Sequence, residues 1–263
     1  MKTGINWSGQ RDLPTVASLL GSGEVDFVEI VIDNFLPCDP GSLLSILDGT
    51  PCAFHIMNSR FLHARPGALR DMAKRVRELD AALSPLYVSD HLGKFYFRGQ
   101  ALPQMLEVDY VRDGAWCRDK LALWQDLLGR QIFIENYPSI IRQPAAQAAF
   151  FARLIEATQC GLLFDISNAV IAEINTGESA GDWSALWRNT RHFHIGGFAP
   201  AAFSVRCAVD THDRGIDERA LLLAEVVLGR VKNVTVSVER DDRFDAEEWL
   251  ADVRRIGALR GDL

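Results

Sequence analysis

Residues 52–83 read CAFHIMNSRFLHARPGALRDMAKRVRELDAAL and hold one complete structural unit. Cys52–Ile56 is a short apolar run of the length of a buried strand. Pro66–Leu83 is a long amphipathic stretch with proline in its first turn, where a missing N–H costs a helix little. His55 sits near the end of the strand, ahead of the connecting loop. Strand, loop, helix is the repeating unit from which the rest of the chain can be read.

On the N-terminal side, Gly4–Trp7 and Asp26–Ile32 read as strands, the latter rich in β-branched residues. A helix runs to Leu47 from Asp39-Pro40, with Asp39 as its N-cap. On the C-terminal side the strands are Leu86–Ser89, Ile132–Ile134, Gly161–Phe164, His192–Ile195 and Val234–Val238. Between them lie helical stretches at Asp113–Leu128, Pro144–Thr158, from Asn168 onward, at Asp217–Leu228 and at Asp245–Leu259. Asp90–Val111 carries several aromatics but no helical pattern. Eight strand–helix units in about 250 residues is the arithmetic of a (β/α)8 TIM barrel. No G-x-G-x-x-G follows the first strand, which argues against a doubly wound nucleotide-binding sheet. With no Pro/Ser/Gly-rich linker, residues 1–263 are expected to form a single domain.

Composition narrows the function. The net charge of −7 disfavours a nucleic-acid binder, whose phosphate contacts need a basic surface. No apolar run is long enough to span a bilayer, and the N-terminus lacks a signal-peptide core. Five scattered cysteines without a C-x-x-C fit reduced thiols in a cytoplasmic protein.

The polar residues at the carboxyl ends of the strands are His55, His91, Glu135, Asp165, His194 and Glu239, separated by 36, 44, 30, 29 and 45 residues. Each interval is close to one strand–helix unit, so in a barrel all six converge on one mouth. Asp165 or Glu239 alone would read as a cap or a salt-bridge partner, but six at one rim point to a metal site. Asp210 and His212 join them from DTHD (210–213), just beyond HFHIGG (192–197). Four imidazoles and four carboxylates exceed what a single zinc takes, and suit two or three iron or manganese ions. Glu135, in the middle of the set, is the expected bridge. Asn168, three residues after Asp165, reads equally as a ligand or as a helix-starting polar residue. By alternation His192 and His194 share one face of their strand. Asp90 is expected to orient His91, Asp241 to accept a proton, Arg240 to supply a counter-charge, and Asn34 and Asn58 to contact substrate. His63 reads as a loop residue. No G-x-S-x-G nucleophile motif is present.

The motifs VSDHLG around His91, IENYP around Glu135, CGLLFDISN around Asp165, HFHIGGF around His194, DTHD around His212 and SVERDD around Glu239 resemble those of the multinuclear non-haem iron-dependent oxidative enzymes. The resemblance covers nearly the whole chain, and GINWSG and FHIMNSRF bring it nearest the branch acting in methanobactin biosynthesis. It implies a xylose-isomerase-like TIM barrel that modifies cysteines of a ribosomal precursor peptide. Two or three irons of mixed Fe(II)/Fe(III) valence would act with O2 as co-substrate. The substrate would be an MbnA-like precursor, converted to oxazolone and thioamide with an MbnC-like partner protein in a heterodimer, and the product would chelate copper. The implied iron ligands are His55, His91, Glu135, Asp165, Asn168, His194, Asp210, His212 and Glu239. The family's H-x-A-G falls on His194–Gly197, with Gly196 in place of alanine. His192 has no counterpart and is expected to face substrate or support a ligand. Competing readings are a divalent-metal isomerase or hydrolase on a sugar-isomerase-like barrel, a non-catalytic peptide carrier, and a family member acting on a different peptide.

Overall fold

In a computed structural model, residues 1–202 and 204–259 are described; residues 203 and 260–263 of the expected domain lie outside the described residues. Twelve strands are numbered in chain order: β1 (Lys2–Trp7), β2 (Phe27–Val31), β3 (Cys52–Ile56), β4 (Val88–His91), β5 (Gly93–Phe97), β6 (Gln100–Glu107), β7 (Phe133–Glu135), β8 (Gly161–Asp165), β9 (His192–Gly196), β10 (Phe198–Ala201), β11 (Ser204–Asp210) and β12 (Thr235–Glu239). Among the described residues, eight of these close a parallel barrel in the order β1-β12-β9-β8-β7-β4-β3-β2. This is the expected (β/α)8 architecture.

The helices outside it are α1 (Leu13–Gly21), α2 (Pro40–Leu47), α3 (Pro66–Leu83), α4 (Gly114–Leu128), α5 (Gln147–Thr158), α6 (Ile166–Thr176), the short α7 (Ser184–Trp187), α8 (Glu218–Leu228) and α9 (Ala246–Ala258). Local chemistry sets their ends. The carboxylates of Asp39, Asp165, Asp217 and Asp245 cap α2, α6, α8 and α9, and Gly129 and Gly177 close α4 and α6 with positive φ. No helix among the described residues is long and apolar enough to cross a membrane.

Alternation divides each strand between two environments. Outward residues such as Ile30, Phe54, Ile134, Phe164, Phe193 and Val236 pack under the helices as the main core. Inside the barrel, Phe27, Ala53, Tyr87 and Leu163, with Phe133 against them, form a separate apolar floor. Gly4 makes room for it: a Cβ there would lie 2.5 Å from the Phe27 ring. Above the floor the inward positions turn polar, and the register sets acids beside imidazoles. His91 pairs with Glu135, Asp165 with His194, and His194 with Ser237.

Two antiparallel ribbons depart from the sequence reading. Asp90–Val111, expected to be irregular, contains the hairpin β5–β6 with a turn at Arg98-Gly99, where both residues have positive φ. The loop expected between Gly197 and Asp210 contains the hairpin β10–β11. Both follow barrel strands at their carboxyl ends, so they form walls around the mouth. Helix α6 starts at Ile166 instead of Asn168, because Asp165 ends its strand and caps the next helix in one step.

Candidate metal centre

The mouth is a cleft of about 600 Å³, lined by His55, His91, Glu135, Asn168, Asp210, His212 and Glu239, with Asn6, Asn34, Asn58 and Asp241 around them. Asp165 and His194 lie just below, fully buried. All nine residues implied as ligands therefore gather at one end of the barrel.

They form overlapping groups whose nitrogen and oxygen atoms lie within 4.8 Å of one another: His55, His91 and Glu135 in one, and Glu135, Asp165, His194 and Glu239 in another. Glu135 belongs to both. Its Oε2 lies 3.7 Å from His55 Nε2 and 3.4 Å from His91 Nδ1, and its Oε1 lies 3.8 Å from His194 Nδ1. Across the cleft, His212 Nε2 lies 2.8 Å from Asp210 Oδ1 and 3.6 Å from Glu239 Oε2. Asn168 donates from Nδ2 to Glu135 Oε1 at 3.1 Å. Gly196, where the family has alanine, abuts His212: a Cβ at Gly196 would come within 2.8 Å of its Nε2.

Three imidazoles are held from behind, leaving one nitrogen turned to the centre. His55 Nδ1 bonds Ser89 Oγ at 2.8 Å, and His212 Nδ1 bonds Asp241 Oδ2 at 3.0 Å. His194 Nε2 faces Glu29 Oε2 at 2.6 Å, while its Nδ1 points at Glu239 Oε2, 3.2 Å away. Imidazole backed by a polar group is the usual environment of a metal-binding histidine. Asp241 is itself steadied by Asn6 Nδ2 at 2.9 Å.

The donor set fits metal ions. Glu135 Oε2, Asp165 Oδ2, Asn168 Oδ1, His194 Nδ1, Asp210 Oδ1, His212 Nε2 and Glu239 Oε2 are buried without a hydrogen-bond partner. Such atoms are costly to bury unless a cation satisfies them.

Protonation carries the same strain. Burial, reinforced by the charges of Glu135, Glu239 and Asp210, pushes the Asp165 carboxyl well above its usual range. Burial also raises Glu239 to about 7, against the opposing pull of His194 and His212. Burial lowers His194 and His212, but neighbouring carboxylates outweigh it and raise both well above normal: Glu239 and Glu29 for His194, Asp210 and Glu239 for His212. Burial pushes Glu135 up, but the His91, His194 and His55 imidazoles bring it below its usual value. In the absence of metal these shifts favour protons on Asp165, His194 and His212, at atoms a metal requires bare. Metal loading at pH 7 is expected to release on the order of two protons per chain. Calorimetry in buffers of differing ionisation heat reads this directly; loading without proton release would contradict it.

Of four other residues singled out in the sequence, three lie away from the cleft and one lines it with its amide already engaged. His192 shares the inward face with His194 but sits two residues deeper, in the floor. It stacks on Tyr87 at 4.1 Å between ring centroids, meets Phe133 at 4.4 Å, and bonds Thr235 Oγ1 at 2.9 Å. It does not line the cleft. Arg240 turns its guanidinium outward to Asp252 and Glu248, away from the cleft, because its strand neighbour Glu239 takes the inward position. Asp90 points behind the wall, accepting from Trp124 Nε1 at 2.8 Å and from the His91 N–H at 2.7 Å. Its carboxylate is placed to orient His91 and does not enter the cleft. Asn34 lines the cleft but donates its side-chain amide to Ser8 O. Conversely, Glu29 and Asn6 were not expected at the centre. The one signal for Glu29 was a carboxylate inside an otherwise apolar strand.

A sequence model described as RiPP precursor modification enzyme MbnB/TglH/ChrH matches residues 3–260. A UPF0276 protein of Rhizorhabdus wittichii is 30% identical over 229 residues, covering 83% of this chain and 80% of the relative. A UPF0276 protein of Caulobacter vibrioides is 29% identical over 255 residues, covering 91% and 89%. Among solved structures, a D-psicose 3-epimerase superposes with a TM-score of 0.63 at 16% identity, covering 98% of each chain. A xylose isomerase-like TIM barrel protein of Mycobacterium smegmatis superposes at 0.61 and 13% identity, covering 94% and 88%. At those identities the solved structures establish the fold alone.

Proposed function

The chain belongs to the RiPP precursor modification enzyme family MbnB/TglH/ChrH, whose members act on ribosomally made peptides, and from this we propose an iron-dependent oxidase of methanobactin biosynthesis. Using O2, it converts a cysteine of an MbnA-like precursor peptide into an oxazolone with an adjacent thioamide, acting as a single barrel domain in the cytoplasm beside an MbnC-like partner. The observation that carries this reading is the convergence of nine nitrogen- and oxygen-donor residues, many with unsatisfied buried atoms, on one open cleft in a chain with that family match.

His55, His91, Glu135, Asp165, Asn168, His194, Asp210, His212 and Glu239 would hold two or three irons, with Glu135 shared between positions. When bound, mixed-valent iron supplies the redox chemistry with O2 and favours the substrate cysteine as thiolate. The protein's part is geometry and proton placement. Ser89, Glu29 and Asp241 fix which nitrogens of His55, His194 and His212 face inward. Asp90 holds the His91 backbone from behind the wall, and Asp241, at the edge of the cleft and bonded to His212 Nδ1, is the proton acceptor of this reading. Met57, Met105, Tyr137 and Ile140 give the cleft an apolar wall that keeps water from a bound cysteine, and Asn58 offers a polar contact at its edge.

Reconstitution tests the reading. Iron-loaded protein with a cysteine-bearing precursor and the partner should yield product with the mass change of a four-electron oxidation, and nearly none without the partner. Full activity without the partner would contradict the methanobactin assignment. Turnover of a sugar without O2 would replace the oxidase with an isomerase.

A further inference from the structure

Beside the cleft lies a second cavity of about 710 Å³, lined by Asn58, Ser59, Arg60, His63, Arg65, Tyr96 and Arg98, together with small residues. Asn58 belongs to both cavities, so the two adjoin. The ribbon β5–β6 spans them as well: Tyr96 and Arg98 border the second cavity, while Gln104 and Met105 line the cleft.

No acidic residue lines this second cavity. Among the described residues, the guanidiniums of Arg60, Arg65 and Arg98 form no ion pair or hydrogen bond; Arg60 and Arg98 rest on the rings of Phe95 and Phe97. In a chain of net charge −7, three unpaired arginines around one hollow are an uncompensated local charge. The N-terminus of the eighteen-residue helix α3 adds to it. Arg65 occupies the cap position without a side-chain cap, no acid lies in the first turn, and Ala68 of that turn lines the hollow. His63 Nε2 is buried beneath without a partner, its ring between Tyr96 and Trp116. Burial and the charges of Lys94 and Lys120 lower the His63 pKa, and the one acid beside it, Asp113, is paired with Lys94.

We propose that the cavity framed by Arg60, Arg65 and Arg98 is a carboxylate-binding subsite that holds an acidic side chain or the carboxyl terminus of the peptide whose cysteine enters the adjoining cleft. Planar guanidiniums pair with carboxylates through two parallel hydrogen bonds, which fixes direction as well as position. A peptide lying along the ribbon would be anchored at the arginines and deliver its cysteine to the centre. The proposal rests on the peptide-modifying reading above.

The test uses the full-length, metal-loaded protein without O2 and a fluorescent synthetic peptide: one cysteine, a short glycine spacer and three C-terminal glutamates. The comparison peptides carry glutamines with an amidated terminus, glutamates with an amidated terminus, or glutamines with a free terminus. Anisotropy should show the glutamate peptide bound at least about tenfold more tightly than the amidated glutamine peptide, which has no carboxylate, a difference of about 1.4 kcal/mol. R60Q/R65Q/R98Q should remove that preference with metal content and circular dichroism unchanged. R188Q/R191Q/R230Q, of equal charge at the opposite end of the barrel, should keep it. Tight binding kept by the amidated glutamate peptide would assign the pocket to acidic side chains, and kept by the free-terminus glutamine peptide to a carboxyl terminus; either supports the subsite. Equal binding of the glutamate and amidated glutamine peptides, or a preference that persists in R60Q/R65Q/R98Q, would overturn it. A preference that behaves as expected in a protein yielding no oxidised product would keep the subsite and reject the oxidase.

Discussion

Glu135→Ala is expected to lose more than one metal ion per chain. The carboxylate faces His55 and His91 on one side and His194 on the other, and two of the three candidate donor groups at the mouth include it, the third being Glu29, His55 and His194. A residue bound to a single ion would cost that ion alone. One shared between positions would also offset the repulsion between two neighbouring cations, so its loss would destabilise both. Removing it leaves the surrounding imidazoles without the carboxylate that faces all three, and the Asn168 amide with only the Asn136 carbonyl to accept from it. Elemental analysis of the purified variant beside wild type measures the effect. Full metal content would remove Glu135 from the bridging role.

The second large effect is expected at His194. Its ring is fully buried between Glu29 and Glu239, with one nitrogen directed at each. His194→Ala should reduce product to below detection by mass spectrometry while the barrel remains folded by circular dichroism. The same substitution strands Glu29, a wholly buried carboxylate whose nearest partner of opposite charge is His194. Removing one member of a buried pair costs about 3–5 kcal/mol, so the melting temperature should also fall. His194→Gln, which retains a polar atom near Glu29, should recover part of the stability and none of the activity. Product at the wild-type level in either variant would contradict a place for His194 at the centre.

The barrel was legible because its signals are local and repeat. Short apolar runs such as Cys52–Ile56 and Gly161–Asp165 each carry a polar residue at or beside their last position, and a helix pattern follows each, with those polar residues recurring at an interval of about one strand–helix unit. The same interval made the mouth legible, since barrel topology turns spacing into convergence. Depth was not legible. His192 and His194 have the same side-chain direction, yet about 6.6 Å of strand rise separates a floor residue from one at the centre. Their pairings, Leu163 with His192 and Asp165 with His194, settle which is which, and register belongs to the closed sheet, not to the single strand. Glu29 was hidden for a related reason. It lies below the strand end, where acids are rare, and its role follows from an imidazole that arrives from β9, more than 160 residues later in the chain. The ribbons were obscured by their sequence: Pro103 interrupts the alternation of β6, and the glycines after His194 read as the end of a strand, although another begins at Phe198.

Elemental analysis of protein purified without O2 tests the proposed iron cluster at the mouth of the barrel most directly. The expected result is at least two irons per chain, removed together by chelation and restored by Fe(II). At most one metal per chain, or zinc or magnesium with no iron, would contradict it.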